Sequence, residues 1–163
     1  GRDVIELHGN LASVVCLECG TRAPRAELQQ RMQRANPGWI DRAVEIAPDG
    51  DAELPPEMTS GFVVPECEVC GGVLKPDVVF FGESVPRARV QRCFDLVAEC
   101  DCLFVVGSSL TVYSGFRFAE ATVRAGRTLA IANIGPTRAD SLATIKVEAS
   151  LSPLLERLAH SLR

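Results

Sequence analysis

Four cysteines in this sequence form two pairs whose spacing suits a metal ion. Two residues separate Cys16 from Cys19 and Cys67 from Cys70, and a glycine follows each pair. This spacing lets both thiolates of a pair face one ion, and four thiolates complete a tetrahedral Zn²⁺ site with no open position. The sequence therefore predicts one structural zinc ion, whose binding would stabilise a segment with little apolar core.

The other readings of the cysteines fit the sequence less well. A redox Cys-x-x-Cys motif and a set of buried thiols are the alternatives, and two pairs each followed by glycine favour zinc over both. Cys93, Cys100 and Cys102 lie on or beside apolar faces, where cysteine usually acts as a small hydrophobe. The total of seven cysteines is odd, which fits a reducing compartment better than a disulfide framework.

His8 is a second candidate for chemistry. It follows a short apolar run and precedes Gly9. A lone histidine after a strand is more often structural than catalytic, so a catalytic role for His8 depends on the residues that surround it. His160 falls in the polar part of the last predicted helix and is expected to be a solvated surface residue.

Small residues after two predicted strands indicate a nucleotide site. They are Gly107, Ser108 and Ser109 after the first strand, and Asn133, Ile134 and Gly135 after the second. The carboxyl ends of parallel strands are where α/β sheets bind ligands, and small residues there let phosphate or ribose approach backbone N–H groups. Each group alone is a weak signal, and the sequence contains no G-x-G-x-x-G motif and no Walker lysine.

The elements that must position these residues alternate between strand and helix. The sequence predicts strands at 3–7, 77–81, 102–106, 128–132 and 145–148, and helices at 24–35, 86–99, 116–125 and from Ser150 or Ser152 onward. The continuous apolar run 102–106 suits a strand covered on both faces. The alternation predicts an α/β fold with a parallel, doubly wound, Rossmann-like sheet.

The cysteine pairs bound a segment of different character. Residues 16–72 are predicted to form a zinc-binding module inserted into a Rossmann-like domain that comprises 1–15 and 73–163. Residues 39–65 contain strong turn formers and little periodicity, so they are predicted to be a loop that folds back to bring the cysteine pairs together.

Composition and charge limit the kinds of partner that this chain could bind. The chain has 163 residues, of which 47% are apolar, and this is enough to bury a core. Its 17 basic and 21 acidic residues give a net charge of −4, which argues against binding nucleic acid through its phosphates. No apolar run approaches the roughly 20 residues of a membrane span, so no membrane partner is expected. No secretion signal is recognised, and the chain is expected to begin inside a domain.

The ordered set of motifs resembles the sirtuins, which are NAD-dependent protein lysine deacylases. The matching segments are His8-Gly9, the two cysteine pairs, 75–83, 107–112 and 133–135. The continuations Tyr113-Ser114-Gly115 and Pro136-Thr137-Arg138 resemble class II, the group that contains the mitochondrial sirtuin 4. The Gly-Ala-Gly-x-Ser loop, the flexible cofactor loop and the Gln-Asn-x-Asp segment of sirtuins do not occur, so the resemblance implies the C-terminal part of a catalytic core.

The resemblance also implies a reaction and a set of site residues. An acyl-lysine peptide or protein would bind between the two domains, and NAD would be converted to nicotinamide and O-acyl-ADP-ribose as the lysine is freed. His8 would be the general base that activates a ribose hydroxyl. The residues expected to bind NAD are Gly107, Ser108, Ser109, Asn133, Ile134, Gly135 and Leu151. The residues expected to flank the peptide are Val79, Phe80, Phe81, Gly82, Val112, Tyr113 and Ser114.

Two other functions remain open at this point. The chain could catalyse ADP-ribosyl transfer, or it could be a non-catalytic zinc-bearing interaction module. Because half of the sirtuin cofactor site does not occur in it, the isolated chain is expected to be inactive. The family resemblance implies either the bacterial cytoplasm or the mitochondrial matrix as its compartment.

Overall fold

The computed structural model describes residues 4–39, 48 and 54–161. Within these residues, strands and helices follow one another along the chain. Their bounds are β1 Gly9–Cys16, β2 Arg22–Pro24, α1 Arg25–Ala35, α2 Pro56–Thr59, β3 Leu74–Val78, α3 Arg87–Glu99, β4 Cys102–Val106, α4 Tyr113–Arg124, β5 Thr128–Ala132, a 3₁₀ turn Asp140–Leu142, β6 Ile145–Val147 and α5 Leu151–Ser161. No helix of the described part is both long and apolar enough to cross a bilayer.

The chain divides into two compact units. The first combines Gly1–Leu7 with Ser84–Arg163, and the second comprises His8–Glu83. We call them the sheet unit and the zinc-site unit. The sequence predicts a different division, into a Rossmann-like domain of residues 1–15 and 73–163 and a zinc-binding module of residues 16–72. This division into domains stays a prediction.

The zinc-site unit is built on a three-stranded antiparallel sheet with strand order β2-β1-β3. Val14, in the central strand, pairs with Ala23 on one side and Pro76 on the other, and its side chain is fully buried. The register shifts between Gly9 and Val14, so β1 contains an irregularity of the kind that bends a strand. The sheet thus brings the start of β1 beside the end of β3.

The strand predicted at 3–7 is wrong for its described part. Residues 4–7 lie outside every strand, and Val4 is 77% exposed. A strand needs a hydrogen-bonded neighbour, and none of the described strands pairs with this run. The Arg89 guanidinium instead donates to the Leu7 carbonyl at 3.3 Å. The strand predicted at 77–81 is also displaced, because β3 ends at Val78 and pairs antiparallel with β1.

The helix predicted at 24–35 is confirmed as α1, with Pro24 at its N-cap and Asn36 at its C-cap. The Asn36 side-chain amide donates to the Val63 carbonyl at 2.8 Å and accepts from the Val63 N–H at 2.7 Å. This pair ties the end of the predicted loop back to the helix. Residues 40–47 and 49–53 of that loop lie outside the described residues.

The sheet unit contains a parallel sheet with strand order β4-β5-β6, so the predicted α/β class is confirmed. Leu129 and Ile131 of β5 are buried, as expected for a central strand with an apolar sequence. On α4, Phe116, Ala119 and Thr122 are buried. Helices α3 and α4 meet in this unit through an edge-to-face contact between Phe94 and Phe118, whose ring centroids lie 4.9 Å apart.

Strand β4 does not have the predicted cover on both faces. Val105 is buried, but Phe104 is 44% exposed and Cys102 is also exposed. Among the described strands β4 pairs only with β5, so it is an edge strand with one packed face.

The helices of the sheet unit agree with the sequence except at their ends. Helix α3 follows the prediction closely, and α4 begins three residues earlier than predicted, at Tyr113. Helix α5 begins at Leu151, which places Ser150 rather than Ser152 at its start.

Candidate functional site

The four predicted zinc ligands come together in the zinc-site unit. Their sulfur atoms all lie within 4.8 Å of one another, with Cys16 Sγ 3.5 Å from Cys70 Sγ and Cys19 Sγ 3.8 Å from Cys67 Sγ. A tetrahedral zinc ion with Zn–S bonds of about 2.3 Å requires sulfurs about 3.8 Å apart. The cluster is therefore positioned to hold one zinc ion, with no further protein ligand needed.

Two turns of the same type present these cysteines. The Gly20 N–H donates to the Cys16 carbonyl at 3.0 Å, and the Gly71 N–H donates to the Cys67 carbonyl at 2.8 Å. Both glycines have a positive φ, 71° and 73°, which non-glycine residues rarely adopt. The glycine after each pair thus permits the tight turn that presents the two cysteines.

The thiols of the cluster differ strongly in acidity. Hydrogen bonds with the side chain and backbone of Thr21 lower the pKa of Cys19 to about 6. A hydrogen bond with the Gly72 backbone lowers the pKa of Cys70, but hydrogen bonds with the Cys19 and Cys16 thiols outweigh this effect and raise the pKa to about 12. The thiol of Cys19 therefore ionises far more easily than that of Cys70.

His8 lies at the entrance to β1, with its side chain exposed. Its carbonyl accepts a hydrogen bond from the Val79 N–H at 2.8 Å. The next residue, Gly9, has φ +79°, and a Cβ atom there would lie 1.8 Å from the Asp77 carbonyl oxygen. The Arg22 guanidinium pairs with the Asp77 carboxylate at 2.8 Å. The backbone at His8 is consequently fixed by the end of β3.

The predicted peptide-binding residues of the zinc-site unit form a braced turn rather than a strand. Lys75 Nζ pairs with the Glu83 carboxylate at 2.6 Å and lies 4.7 Å from the centre of the Phe80 ring. Glu83 also accepts from the Phe80 N–H at 3.0 Å. The Lys75 ammonium and the Phe80 N–H hold the pKa of Glu83 below its usual value.

This turn leaves two aromatic side chains in solvent. Phe80 is 51% exposed and Phe81 is 99% exposed. The Val79 and Phe80 N–H groups already donate within the unit, to His8 and Glu83 respectively. A peptide strand added here would therefore pair through the other backbone groups of Val79–Gly82.

The remaining predicted peptide-binding residues lie at the start of α4. Val112 is the N-cap residue, and it and Tyr113 are 53% and 56% exposed. The Ser114 carbonyl accepts from the Arg117 side chain at 2.9 Å.

The predicted nucleotide residues after β4 adopt a tight turn. The Gly107 N–H donates to the Ala132 carbonyl at 2.9 Å, and a Cβ atom at Gly107 would lie 2.7 Å from Leu151 Cδ1. Gly107 and Leu151 are thus brought into contact. The Leu110 N–H donates to Ser108 Oγ at 3.2 Å, and Ser109 Oγ lies 2.9 Å from Thr111 Oγ1.

The predicted nucleotide residues after β5 form a second compact loop in the same unit. The Asn133 side-chain amide donates to the Ile134 and Gly135 carbonyls at 3.0 and 3.3 Å, and Ile134 is 69% exposed. The Gly135 N–H donates to the Glu148 carboxylate at 3.2 Å. Both predicted groups therefore lie at the carboxyl ends of adjacent parallel strands, where ligands bind such sheets.

Sequence reasoning missed the charged residues that brace the second loop. Lys146 Nζ donates to the Gly135 carbonyl at 3.2 Å and pairs closely with the Asp140 carboxylate. Lys146 and Thr137 together lower the pKa of Asp140 to about 2. The Thr137 hydroxyl donates to the Asp140 carboxylate three residues further on, but nothing local in the sequence identifies Lys146 as the second partner of Asp140.

Several curated proteins similar to this chain come from bacteria. An NAD-dependent protein deacetylase of Xanthomonas campestris pv. campestris (strain 8004) is 55% identical over 93% of the chain and 52% of its own length. NAD-dependent protein deacetylase 1 of Streptomyces coelicolor is 51% identical over 98% of the chain and 53% of its own length. The chain therefore spans about half the length of the curated relatives it matches.

Solved Sir2 structures superpose on this chain. A Sir2Tm structure bound to a propionylated peptide superposes with a TM-score of 0.74 and 27% identity, covering 99% of this chain and 56% of that one. A Sir2 structure with a p53 peptide and NAD+ gives a TM-score of 0.73 and 26% identity, covering 99% and 56%. The Sir2 family profile matches residues 1–114. The family predicted from the ordered motifs is thereby confirmed: the chain belongs to the Sir2 family, the sirtuins.

Proposed function

We propose that the protein containing this chain is an NAD-dependent protein lysine deacylase. The observation that carries the proposal is the 55% identity to an NAD-dependent protein deacetylase across 93% of the chain. The proposed reaction transfers the acyl group of an acyl-lysine to the ADP-ribose part of NAD and releases nicotinamide.

In this proposal His8 accepts the proton of a ribose hydroxyl. An imidazole suits that step because it exchanges protons near neutral pH. The backbone contacts of His8 and Gly9 with β3 support the role, since a general base must be held at a defined position.

NAD binding is assigned to the two loops of the sheet unit. Small side chains in the first loop, at Gly107, Ser108 and Ser109, would leave backbone N–H groups within reach of the cofactor. Asn133, Ile134 and Gly135 of the second loop and Leu151 are assigned to the adenosine side. Their placement at the ends of β4 and β5 and at the start of α5 supports this assignment.

The substrate is proposed to be an acyl-lysine in a peptide or protein. Backbone groups of 79–82 and of 112–114 would contact the peptide, and pairing through the backbone would give weak sequence selectivity. The exposure of Phe81 and Tyr113 supports contact with an external partner. Zinc would be structural, because four thiolates leave no coordination position for substrate.

A finer placement within the family is also proposed. Tyr113-Ser114-Gly115 and Pro136-Thr137-Arg138 support class II. The bacterial origin of the similar deacetylases supports the bacterial cytoplasm over the mitochondrial matrix as the compartment.

The test is turnover by the complete gene product that contains this chain. Wild type, His8→Ala and the matched control His160→Ala would be incubated with NAD and an acetyl-lysine peptide. Mass spectrometry would then quantify nicotinamide, O-acetyl-ADP-ribose and free peptide. We expect His8→Ala to lose about 100-fold or more of the activity, the lower bound of a general-base contribution, and His160→Ala to retain it.

Other outcomes of this assay would refute the proposal. Undiminished turnover by His8→Ala would contradict the base assignment. ADP-ribosylated protein without O-acetyl-ADP-ribose would identify a transferase of a different kind. No consumption of NAD by the wild type, with zinc bound, would favour a non-catalytic module.

A further inference from the structure

The loop between β4 and α4 is held in a strained conformation. Leu110 has φ 53°, in the left-handed region, and among the described residues it is the one non-glycine residue with a positive φ. Its side chain is buried at 8% exposure in the core of the sheet unit. Such a conformation persists only where surrounding contacts hold it. The loop matters because it carries Gly107, Ser108 and Ser109.

Arg138 supplies contacts on both sides of Leu110. Its backbone N–H donates to the Ser109 carbonyl at 2.8 Å, and its guanidinium donates to the Thr111 carbonyl at 3.0 Å. The same guanidinium lies 4.4 Å from the centre of the Phe116 ring. Phe116 is buried, so the arginine connects the loop to the packed face of α4.

Arg138 also lies close in sequence to the other predicted nucleotide segment. It lies in the connection that follows β5, shortly after Asn133, Ile134 and Gly135. This connection is itself braced by Lys146, which contacts the Gly135 carbonyl and Asp140. Arg138 therefore links the connection that follows β5 to the loop that follows β4, and both loops belong to the assigned NAD site.

We propose that Arg138 is a positioning residue for NAD: it fixes the Ser109–Thr111 backbone so that the β4 loop is formed before the cofactor arrives. The role rests on the proposed NAD-dependent function. It requires no contact between Arg138 and the cofactor, because the arginine acts through the loop that it holds. Preorganisation of this kind strengthens binding by removing the cost of ordering the loop.

The test compares Arg138→Met with the matched control Arg127→Met. The Arg127 guanidinium also donates to a backbone carbonyl, that of Val97, in the same unit, but it lies outside both loops. The complete gene product that contains this chain would be isotope-labelled and studied by NMR, with NAD added to millimolar concentration so that weak binding is still measured. Backbone order parameters of 109–111 without NAD give a second, independent readout.

We expect Arg138→Met to lower the order parameters of 109–111 and to weaken NAD binding about tenfold, the factor that corresponds to one hydrogen bond of typical net strength. Arg127→Met should leave both quantities at wild-type values, and zinc content should be equal in all three proteins. Arg138→Lys, which keeps the charge near Phe116 but not the planar fork, should recover only part of the binding.

Two results would overturn the inference. Unchanged order parameters together with weakened binding would make Arg138 a direct cofactor ligand. Unchanged binding in Arg138→Met would show that the loop needs no such support. By contrast, a complete wild-type protein whose β4 loop shows no NAD-dependent shift would overturn the proposed cofactor site itself, and the inference with it.

Discussion

Gly9 lets the end of β3 approach closely enough to fix the backbone next to the proposed base. The Asp77 carbonyl oxygen occupies the position that a Cβ atom of residue 9 would take. Gly9 also has φ +79°, which costs an L-residue roughly 1–2 kcal/mol. The glycine therefore permits both the turn and the close approach of β3 that hold His8.

Gly9→Ala should destabilise the zinc-site unit more than backbone strain alone can explain. Gly61 is a matched control, since its φ is also +79° but no atom lies within 4 Å of the added Cβ. Both variants should lose free energy of unfolding because alanine is strained at this φ. Gly9→Ala should lose about 1–3 kcal/mol more, because the chain must move to relieve the overlap. Urea unfolding followed by the fluorescence of Trp39 reports on this unit, where Trp39 packs against Phe62.

Equal midpoints for Gly9→Ala and Gly61→Ala would show that β3 moves away at little cost. In that case the position of His8 would not depend on the close approach. The comparison uses midpoints rather than signal amplitude, because Gly61 adjoins Phe62.

At the scale of elements, the brace on the β5–β6 connection predicts a specific dependence on pH. The pKa of Asp140 is lowered from 3.8 to about 2 by Lys146 and Thr137. A lowered carboxylate pKa stabilises the folded state above the unfolded value, and this stabilisation disappears as the pH falls through the folded value. The contribution of Asp140 is therefore complete above about pH 4 and is lost between about pH 4 and pH 2.

Asp140→Asn should consequently lower the thermal midpoint of the sheet unit at neutral pH. It should also flatten the change of that midpoint between pH 4 and pH 2. Asp95→Asn is the matched control, because Asp95 lies on α3 and accepts a hydrogen bond from Gln91. Circular dichroism melts at several pH values measure both effects, and a wild-type slope in Asp140→Asn would contradict the assigned brace.

The sequence predicts elements well where the signal is local. Helices α1 and α3 were recognisable from their apolar spacing and end signals, and β4 and β5 from their continuous apolar runs. The strand predicted at 3–7 failed because an apolar run does not reveal its hydrogen-bonding partner. Strand β1 was missed for the most part because it contains an irregular register and begins with Gly9-Asn10.

The same distinction applies to the candidate site. The four zinc ligands could be predicted because the pair spacing and the following glycine encode each turn locally. By contrast, Arg138 contacts residues 109–111, and Lys146 pairs with Asp140, only because the tertiary fold brings these residues together. Those partners depend on the placement of β4, β5 and β6 side by side, which the sequence pattern does not specify.

For the whole molecule, the two units differ in what stabilises them. In the described part of the zinc-site unit, the buried apolar residues are Val14, Cys16 and Cys67, and two of these belong to the four-cysteine cluster. The sheet unit has its own apolar cluster, which includes Leu129, Ile131 and Phe116. Metal binding should therefore supply much of the folding free energy of the first unit and little of the second.

Removing zinc should unfold the zinc-site unit while the sheet unit stays folded. Structural zinc sites contribute about 10–16 kcal/mol of apparent binding free energy in small peptides, more than the three buried apolar residues in the described part of this unit can replace. Hydrogen exchange with and without a chelator should show lost protection in β1 and β3 and retained protection in β4 and β5. Cys67→Ser should reproduce the effect, and metal analysis should find one zinc per wild-type chain and none in this variant. Cys100→Ser, which changes an exposed cysteine outside the cluster, should keep both zinc and protection.

Equal loss of protection in both sheets would mean that the two units fold as one cooperative body. Retained protection everywhere would mean that the cysteines stabilise the fold without metal.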